Sequence, residues 1–221
     1  MGKYKIILFD LDGTLSDPKV GITKSVQYAL KKFSIDEHDL GKLECFIGPP
    51  LQDSFTEYYQ FDEKDTQKAI GFYRERFREK GMFENELYTA IPTLLNMLKE
   101  QKFTLVVATS KPTVFSEQIL NYFQIDAYFD LVVGSNLDGT RTAKTEIIQY
   151  ILDKYKKYEH ADFIMIGDRK HDIIGANNTG IDSIGVTYGY GSYDELSKAN
   201  PSYIVESVEE LKDILMGSRV K

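Results

Sequence analysis

The chain has 221 residues, 27 Lys and Arg against 34 Asp and Glu, and a formal charge of −7. At about 150 residues per domain this length implies one large domain or a core with a smaller insert, and such a chain buries roughly 70% of its unfolded surface without needing a staple. Apolar residues at 42% and charged ones at 28% exclude a disordered chain, the lone Cys45 excludes a disulfide scaffold and fits a reducing compartment, and the acidic balance argues against a nucleic-acid partner.

In chain order, Lys3 to Phe9 reads as a short buried strand that stops at an acidic, glycine-containing loop. Its apolar run is cut by Asp10 and Asp12, too soon for a signal peptide or a membrane span, so a cytoplasmic chain with no membrane partner is expected. From about Ser16 to Asn85 no strand is convincing. Amphipathic helical segments occur instead, at Val20 to Phe33 and Thr66 to Phe77, interrupted by the stiff turn Gly48-Pro49-Pro50. Leu94, Leu95 and Leu98 then share a helix face, and Phe103 to Ala108 is a second strand, running into Thr109-Ser110-Lys111-Pro112. Tyr128 to Val133 is a third strand, followed by a helix that aligns Ile147, Ile148, Ile151, Leu152 and Tyr155. Phe163 to Ile166 is a fourth, ending at Gly167-Asp168, and Ser183 to Val186 a fifth. Val208, Leu211 and Leu215 mark a closing helix.

Strands rich in Val, Ile and Leu that alternate with helices imply a parallel sheet covered on both faces. The expected fold is therefore α/β, a Rossmann-like doubly wound parallel sheet with an inserted all-helical cap. Residues 1–15 and 86–221 are assigned to the core and 16–85 to the cap, with hinges near Ser16-Asp17 and Asn85-Glu86.

In such a sheet, ligands sit outside the carboxyl ends of the strands. Three strand ends carry unusual polar groups: Asp10 with Asp12, Thr109 with Ser110, and Asp168 with Asp172. Any one of them can be a helix cap, as Asp168 before a helix would ordinarily be. Convergence of all three on one edge is harder to explain by capping, since the carboxylates would repel one another unless a cation neutralised them. A hard divalent ion with oxygen ligands, Mg²⁺, answers that need. Asp10 can then attack phosphorus to give an aspartyl-phosphate, and Asp12 can protonate the leaving oxygen and later activate water. Thr109, Ser110 and a lysine would hold the non-bridging oxygens.

At these residues the sequence resembles the haloacid dehalogenase superfamily, in particular its phosphatases with a small helical cap, the phosphoglycolate-phosphatase-like group. Asp10-Leu-Asp-Gly-Thr14 is similar to the first family motif, Thr109 after Leu105-Val-Val-Ala108 to the second, and Gly167-Asp168-Arg-Lys-His-Asp172 to the fourth. The resemblance implies Asp10 as nucleophile and Asp12 as acid/base. It implies Mg²⁺ on the Asp10 carboxylate, the Asp12 carbonyl and Asp168, with Asp172 orienting the metal's ligands. Thr14, Thr109, Ser110 and Lys144 would bind phosphate. The family lysine commonly stands in a Lys-Pro pair before a helix; here Thr145 follows Lys144, which opens the helix after the third strand, and Lys111-Pro112 competes for the role. Gly48, Pro49 and Arg141 are the candidates for substrate selection. Gly48-Pro-Pro50, together with Gly134-Ser-Asn-Leu-Asp-Gly139, also resembles members described as 5′-nucleotidases.

The expected activity is hydrolysis of a small phosphorylated metabolite, of the phosphoglycolate or nucleoside monophosphate type. A sugar phosphomutase of the same superfamily is the alternative, and a phospho-Asp receiver-like signalling module is the alternative of another class. Receivers, however, phosphorylate an Asp that ends a middle strand of the sequence and lack a cap. Gly189-Tyr-Gly191 reads as a tight turn beside the site, His171 as an exposed helix position, and His38 and His160 as isolated. Oligomeric state is not legible.

Overall fold

The computed structural model describes residues 3–217. In chain order it comprises β1 (Ile6–Phe9), β2 (Ser16–Asp17), α1 (Lys19–Lys32), α2 (Leu51–Tyr59), α3 (Glu63–Glu79), β3 (Glu86–Leu87), α4 (Ile91–Glu100), β4 (Thr104–Pro112), α5 (Thr113–Tyr122), β5 (Leu131–Ser135), α6 (Lys144–Lys154), β6 (Phe163–Gly167), α7 (Lys170–Thr179), β7 (Asp182–Val186), α8 (Tyr193–Lys198), β8 (Tyr203–Val205) and α9 (Val208–Leu215). The chain forms two compact units, one running to Ser16 and resuming at Leu87, the other spanning Asp17–Glu86.

The first unit is an α/β fold built on a six-stranded sheet in the order β5-β4-β1-β6-β7-β8, with every neighbouring pair parallel. Parallel pairing requires a crossover between strands, and helices supply it. Side chains alternate across a strand. Ile6 and Leu8 of β1 therefore join Val106, Phe163 and Met165 in one apolar cluster that takes in Ile147, Ile148 and Ile151 of α6. Ile7 and Phe9 point to the opposite face and are just as fully buried, so the sheet is covered on both sides.

β1 lies at the centre, with β4 on one side and β6 on the other. Its register pairs Phe9 with Val107 and with Ile166, so the residues following all three strands emerge side by side. This is the topological switch point, where the crossovers leave in opposite directions and where open α/β sheets place their ligands.

Four details depart from the sequence expectation, the first being that β1 starts at Ile6 rather than Lys3. β5 starts at Leu131 rather than Tyr128, because Asp126–Tyr128 closes into a 3₁₀ turn first. β4 runs on through Thr109 to Pro112, with a register shift between Ala108 and Pro112. A sixth strand, β8, pairs with β7 at the edge; with only Tyr203–Val205 it is too short to show a period.

The second unit is helical, and aromatic side chains fill it. Phe46 packs edge-on to Phe55 at 4.9 Å, Phe55 stacks on Phe61 at 5.9 Å, and Phe61 meets Phe33 at 4.7 Å. α3 opens on Asp62, whose side chain accepts from the Asp65 N–H, and carries Glu63 and Asp65 in its first turn, where the helix dipole favours them. Gly48, at φ +101°, and Pro49 form the turn between the 3₁₀ stretch Leu40–Phe46 and α2. β2 and β3 form a separate two-stranded sheet. Among the described residues no helix is long and apolar enough to cross a membrane.

Candidate active site

The carboxyl edge of the central strands gathers residues that lie far apart in sequence. Asp10 follows β1, its N–H donating to the Ile166 carbonyl at 2.8 Å, and Asp168 follows β6 directly. Asp172 sits in the first turn of α7, where its carboxylate accepts the Arg169 N–H at 3.1 Å and caps the helix. One oxygen from each of Asp10, Asp168 and Asp172 lies within 4.8 Å of the others, and all three residues are buried.

Three buried carboxylates at this separation are costly without compensation. Burial, with the charges of Asp172 and Asp10 beside it, pushes the Asp168 carboxyl well above the ordinary range. Burial likewise raises Asp172 to about 6, against the pull of Lys144.

Lys144 supplies part of the compensation. The first residue of α6, it sends Nζ to Asp10 Oδ1 at 3.0 Å, Asp172 Oδ1 at 2.7 Å and the Ala108 carbonyl at 2.8 Å. The carbonyl contact is a hydrogen bond, and the two carboxylate contacts are ion pairs. Burial opposes its charge, but the Asp10 and Asp172 carboxylates outweigh that and hold its pKa above the usual lysine range. Lys144 is thus seated on the carboxylates themselves, one of them the residue expected to attack.

Asp12 is paired separately. Its Oδ2 meets Lys111 Nζ at 2.7 Å, with side chains only 9% and 6% exposed. Burial raises the Asp12 pKa, although Lys111 pulls the other way. Lys111 is the residue the sequence could not place: a lysine at a strand end is ordinarily solvated, and nothing local signals that β4 continues far enough to carry it to Asp12. Among the remaining candidates, Thr109 is buried and its hydroxyl accepts the Lys111 N–H at 3.3 Å, while the buried Thr14 hydroxyl has no hydrogen-bond partner.

Two further candidates bond to the 134–142 loop. The Ser110 hydroxyl donates to the Thr142 carbonyl at 3.1 Å, turned to the loop before α6. Arg141 donates from Nε to the Gly134 carbonyl at 3.0 Å and from Nη2 to Asn136 at 3.2 Å, and its guanidinium stacks 4.6 Å from the Tyr150 ring. Arg141 closes the 134–142 loop on itself, and Ser110 ties β4 to that loop. His171 is half-buried rather than exposed, and burial, with Arg169 and Lys170 nearby, lowers its pKa. Gly48 and Pro49 belong to the helical unit described above.

The donor set fits a hard divalent cation. Asp168 Oδ1 is buried and has no hydrogen-bond partner, while its Oδ2 accepts the Tyr190 N–H at 2.7 Å. All the donors are oxygens, with no sulfur or imidazole among them, as a hard divalent cation prefers.

A family model for haloacid dehalogenase-like hydrolases matches residues 7–186. A 5′-nucleotidase of Pseudomonas aeruginosa is 49% identical over 214 residues, covering 96% of both chains. A tyrosine-protein kinase PtkA of Mycobacterium tuberculosis is 31% identical over 96% of this chain and 72% of its own. The crystal structure of a predicted phosphatase from Clostridium acetobutylicum superposes with a TM-score of 0.94 at 53% identity, over 97% of this chain and 99% of that one. The chain belongs to the haloacid dehalogenase-like hydrolases, which sets aside the signalling-module alternative, and its relatives include enzymes named as phosphatases.

Proposed function

We propose that the protein is a Mg²⁺-dependent phosphomonoester hydrolase working through an aspartyl-phosphate on Asp10, with 5′-nucleoside monophosphates as its preferred substrate class. One observation carries the reading: a buried triad of Asp10, Asp168 and Asp172, already threaded by Lys144, beside a second buried carboxylate, Asp12. A structural core gains nothing from burying charge in this way. A site for a dianionic ester and a dication does.

Asp10, Asp168 and the Asp12 backbone carbonyl would hold the cation, with Asp172 supporting them. When bound, the cation neutralises the phosphoryl oxygens that would otherwise be repelled by the triad. An Asp10 carboxylate oxygen bonds to phosphorus, the ester bond breaks, and the leaving oxygen takes a proton from Asp12, whose burial favours the protonated form. Asp12 then accepts a proton from water, the water oxygen bonds to phosphorus, and the Asp10–phosphorus bond breaks to release phosphate. Lys144 holds Asp10 in place and balances its charge throughout, and the Thr109 hydroxyl is available to the non-bridging oxygens.

The relative named 5′-nucleotidase, matched over almost the full length of both chains, supports nucleoside monophosphates over 2-phosphoglycolate or sugar phosphates. The test is kcat/KM on a panel of these esters and p-nitrophenyl phosphate, with Mg²⁺ and with EDTA. The expected result is free phosphate from all active substrates, highest for nucleotides, and loss of turnover in EDTA. Metal-independent turnover overturns the cofactor, and a preference for another ester overturns the substrate class. Phosphate appearing on a second sugar hydroxyl instead of in solution converts the reading to a mutase.

A further inference from the structure

The segment after β7, residues 187–192, takes no part in the chemistry above, yet it touches both halves of the acidic edge. It is anchored at each end. The Thr187 N–H donates to the Val205 carbonyl at 2.9 Å on one side. On the other, the Ser192 hydroxyl accepts the Glu195 N–H at 3.1 Å, and Glu195 in turn accepts both the Arg169 Nε–H and the Lys170 N–H at 2.9 Å. Between those anchors the segment wraps Asp168. The Tyr190 N–H is the donor on Asp168 Oδ2 at 2.7 Å. Gly189 and Gly191 lie so close that a Cβ on the first would stand 2.3 Å from the Gly13 carbonyl oxygen and 2.4 Å from Asp168 Cβ. On Gly191 a Cβ would meet the Asp168 carbonyl oxygen at 1.9 Å. Backbone and Asp168 Cβ cannot yield there as the end of a long side chain would.

Tyr188 extends the contact to the other aspartates. Its ring is half-buried and lies edge-on to Tyr88 at 5.2 Å, and its hydroxyl donates to the Thr14 carbonyl at 3.1 Å, within the loop that carries Asp10 and Asp12. One short segment therefore grips two loops that lie more than 150 positions apart in the sequence. Of the two oxygens of Asp168 it occupies one and leaves the other, Oδ1, buried without a hydrogen-bond partner.

We infer that residues 188–191 are the positioning element of the cation site: Tyr190 N–H fixes the Asp168 carboxylate so that Oδ1 faces the cation, and Tyr188 is a positioning residue that sets the Asp10 loop against it. The inference rests on the metal reading above. Partners behind a metal ligand typically change affinity by about 10–100-fold when altered.

The experiment is Mn²⁺ binding by calorimetry, with no substrate, on wild type, Tyr188→Phe and Gly189→Ala, alongside circular dichroism and Tm. Gly189→Ala is expected to raise the Mn²⁺ Kd about 10–100-fold. Tyr188→Phe, which keeps the ring and removes only the hydroxyl, is expected to raise it at least about threefold and to raise the Mg²⁺ concentration for half-maximal turnover equally, with KM for p-nitrophenyl phosphate at saturating Mg²⁺ unchanged. Wild-type Kd in folded Tyr188→Phe overturns the inference, whether or not Gly189→Ala folds. A folded Gly189→Ala with wild-type Kd overturns it too. Absence of Mn²⁺ binding in the wild type overturns the metal reading itself, a separate result.

Discussion

The two units of this chain differ in whether the polar groups they bury carry charge. In the helical unit the buried polar residues are Thr23, Ser25, Ser54, Thr66 and Asn85, all uncharged. The hydroxyls of Thr23, Ser25 and Ser54 bond back to carbonyls four residues earlier, at 2.6, 2.6 and 3.3 Å. That is local bookkeeping of the backbone kind, and it asks for no ligand. The α/β unit instead buries Asp10, Asp168 and Asp172 within a few ångströms of one another with Lys144 on two of them, and buries Asp12 against Lys111. A buried charge whose nearest partners are other charges marks where a fold has been shaped for something outside itself. The difference between hydroxyls that close on their own helix and carboxylates that converge from separate strands is what separates scaffold from site here.

If that contrast is sound, Asp10→Asn should have the largest effect on activity and little on the fold. Loss of the proposed nucleophile is expected to lower kcat on p-nitrophenyl phosphate by at least about 10⁴-fold. Removing one of several mutually repelling buried charges should leave Tm unchanged or higher. Appreciable Mg²⁺-dependent turnover in this variant would break the assignment of the α/β edge as the reacting site.

Lys144→Met tests the same region through stability. It leaves Asp10 and Asp172 buried and unmatched, so urea unfolding of the metal-free protein should show a loss of about 3–5 kcal/mol. Phe46→Ala is the counterpart in the helical unit. Phe46 is 2% exposed and packed against Phe55, so a cost of about 3–5 kcal/mol is expected there as well, arising from a cavity rather than a charge. Mg²⁺ distinguishes the two. Added cation should recover part of the Lys144→Met loss and none of the Phe46→Ala loss, as read from the urea midpoints.

A smaller effect follows from pH. Asp172 has its carboxyl raised from 3.8 to about 6 by burial, so the folded metal-free protein holds a proton that the unfolded chain has released. Between these values ν_N exceeds ν_U, and stability must fall as pH rises from about 4 through about 6. The Tm of the EDTA-treated protein should decline across that window, with a shallower decline in Asp172→Asn. Saturating Mg²⁺ should flatten the wild-type profile, since the cation replaces the proton as the compensating charge.

Much of this was legible in the sequence, for a physical reason. Asp10-Leu-Asp-Gly-Thr14 and Gly167-Asp168 are polar interruptions directly after apolar runs, and the strand register fixes where such residues emerge. Lys144 stands at the first turn of a helix whose apolar face is unmistakable, so its approach to the edge was readable too. What could not be read depends on irregular backbone. β4 shifts register past Ala108, and that shift accompanies the approach of Lys111 to Asp12. The grip of residues 188–191 on Asp168 was likewise hidden, because it comes from a main-chain N–H and from glycines whose meaning lies in what they approach.

The two candidates that bond to the 134–142 loop provide the finest test, since their effects should be the smallest. Ser110 and Arg141 resemble the helical unit in one respect although they lie in the α/β unit: each side chain donates to a backbone carbonyl, Thr142 in one case and Gly134 in the other. Arg141 also sits at φ +52°, a conformation that the stacking on Tyr150 and the bond to Asn136 help to hold. Arg141→Ala should therefore cost stability, about 1 kcal/mol for the lost hydrogen bonds and cation–π contact, with kcat/KM changed less than about threefold. Ser110→Ala should be milder on both counts, because one hydroxyl-to-carbonyl bond is lost and the strand geometry stays. A loss in kcat of about 100-fold in Ser110→Ala, at unchanged Tm, would mean that the hydroxyl swings from Thr142 onto the phosphoryl group during turnover, and the line between scaffold and site would have to be moved to include it.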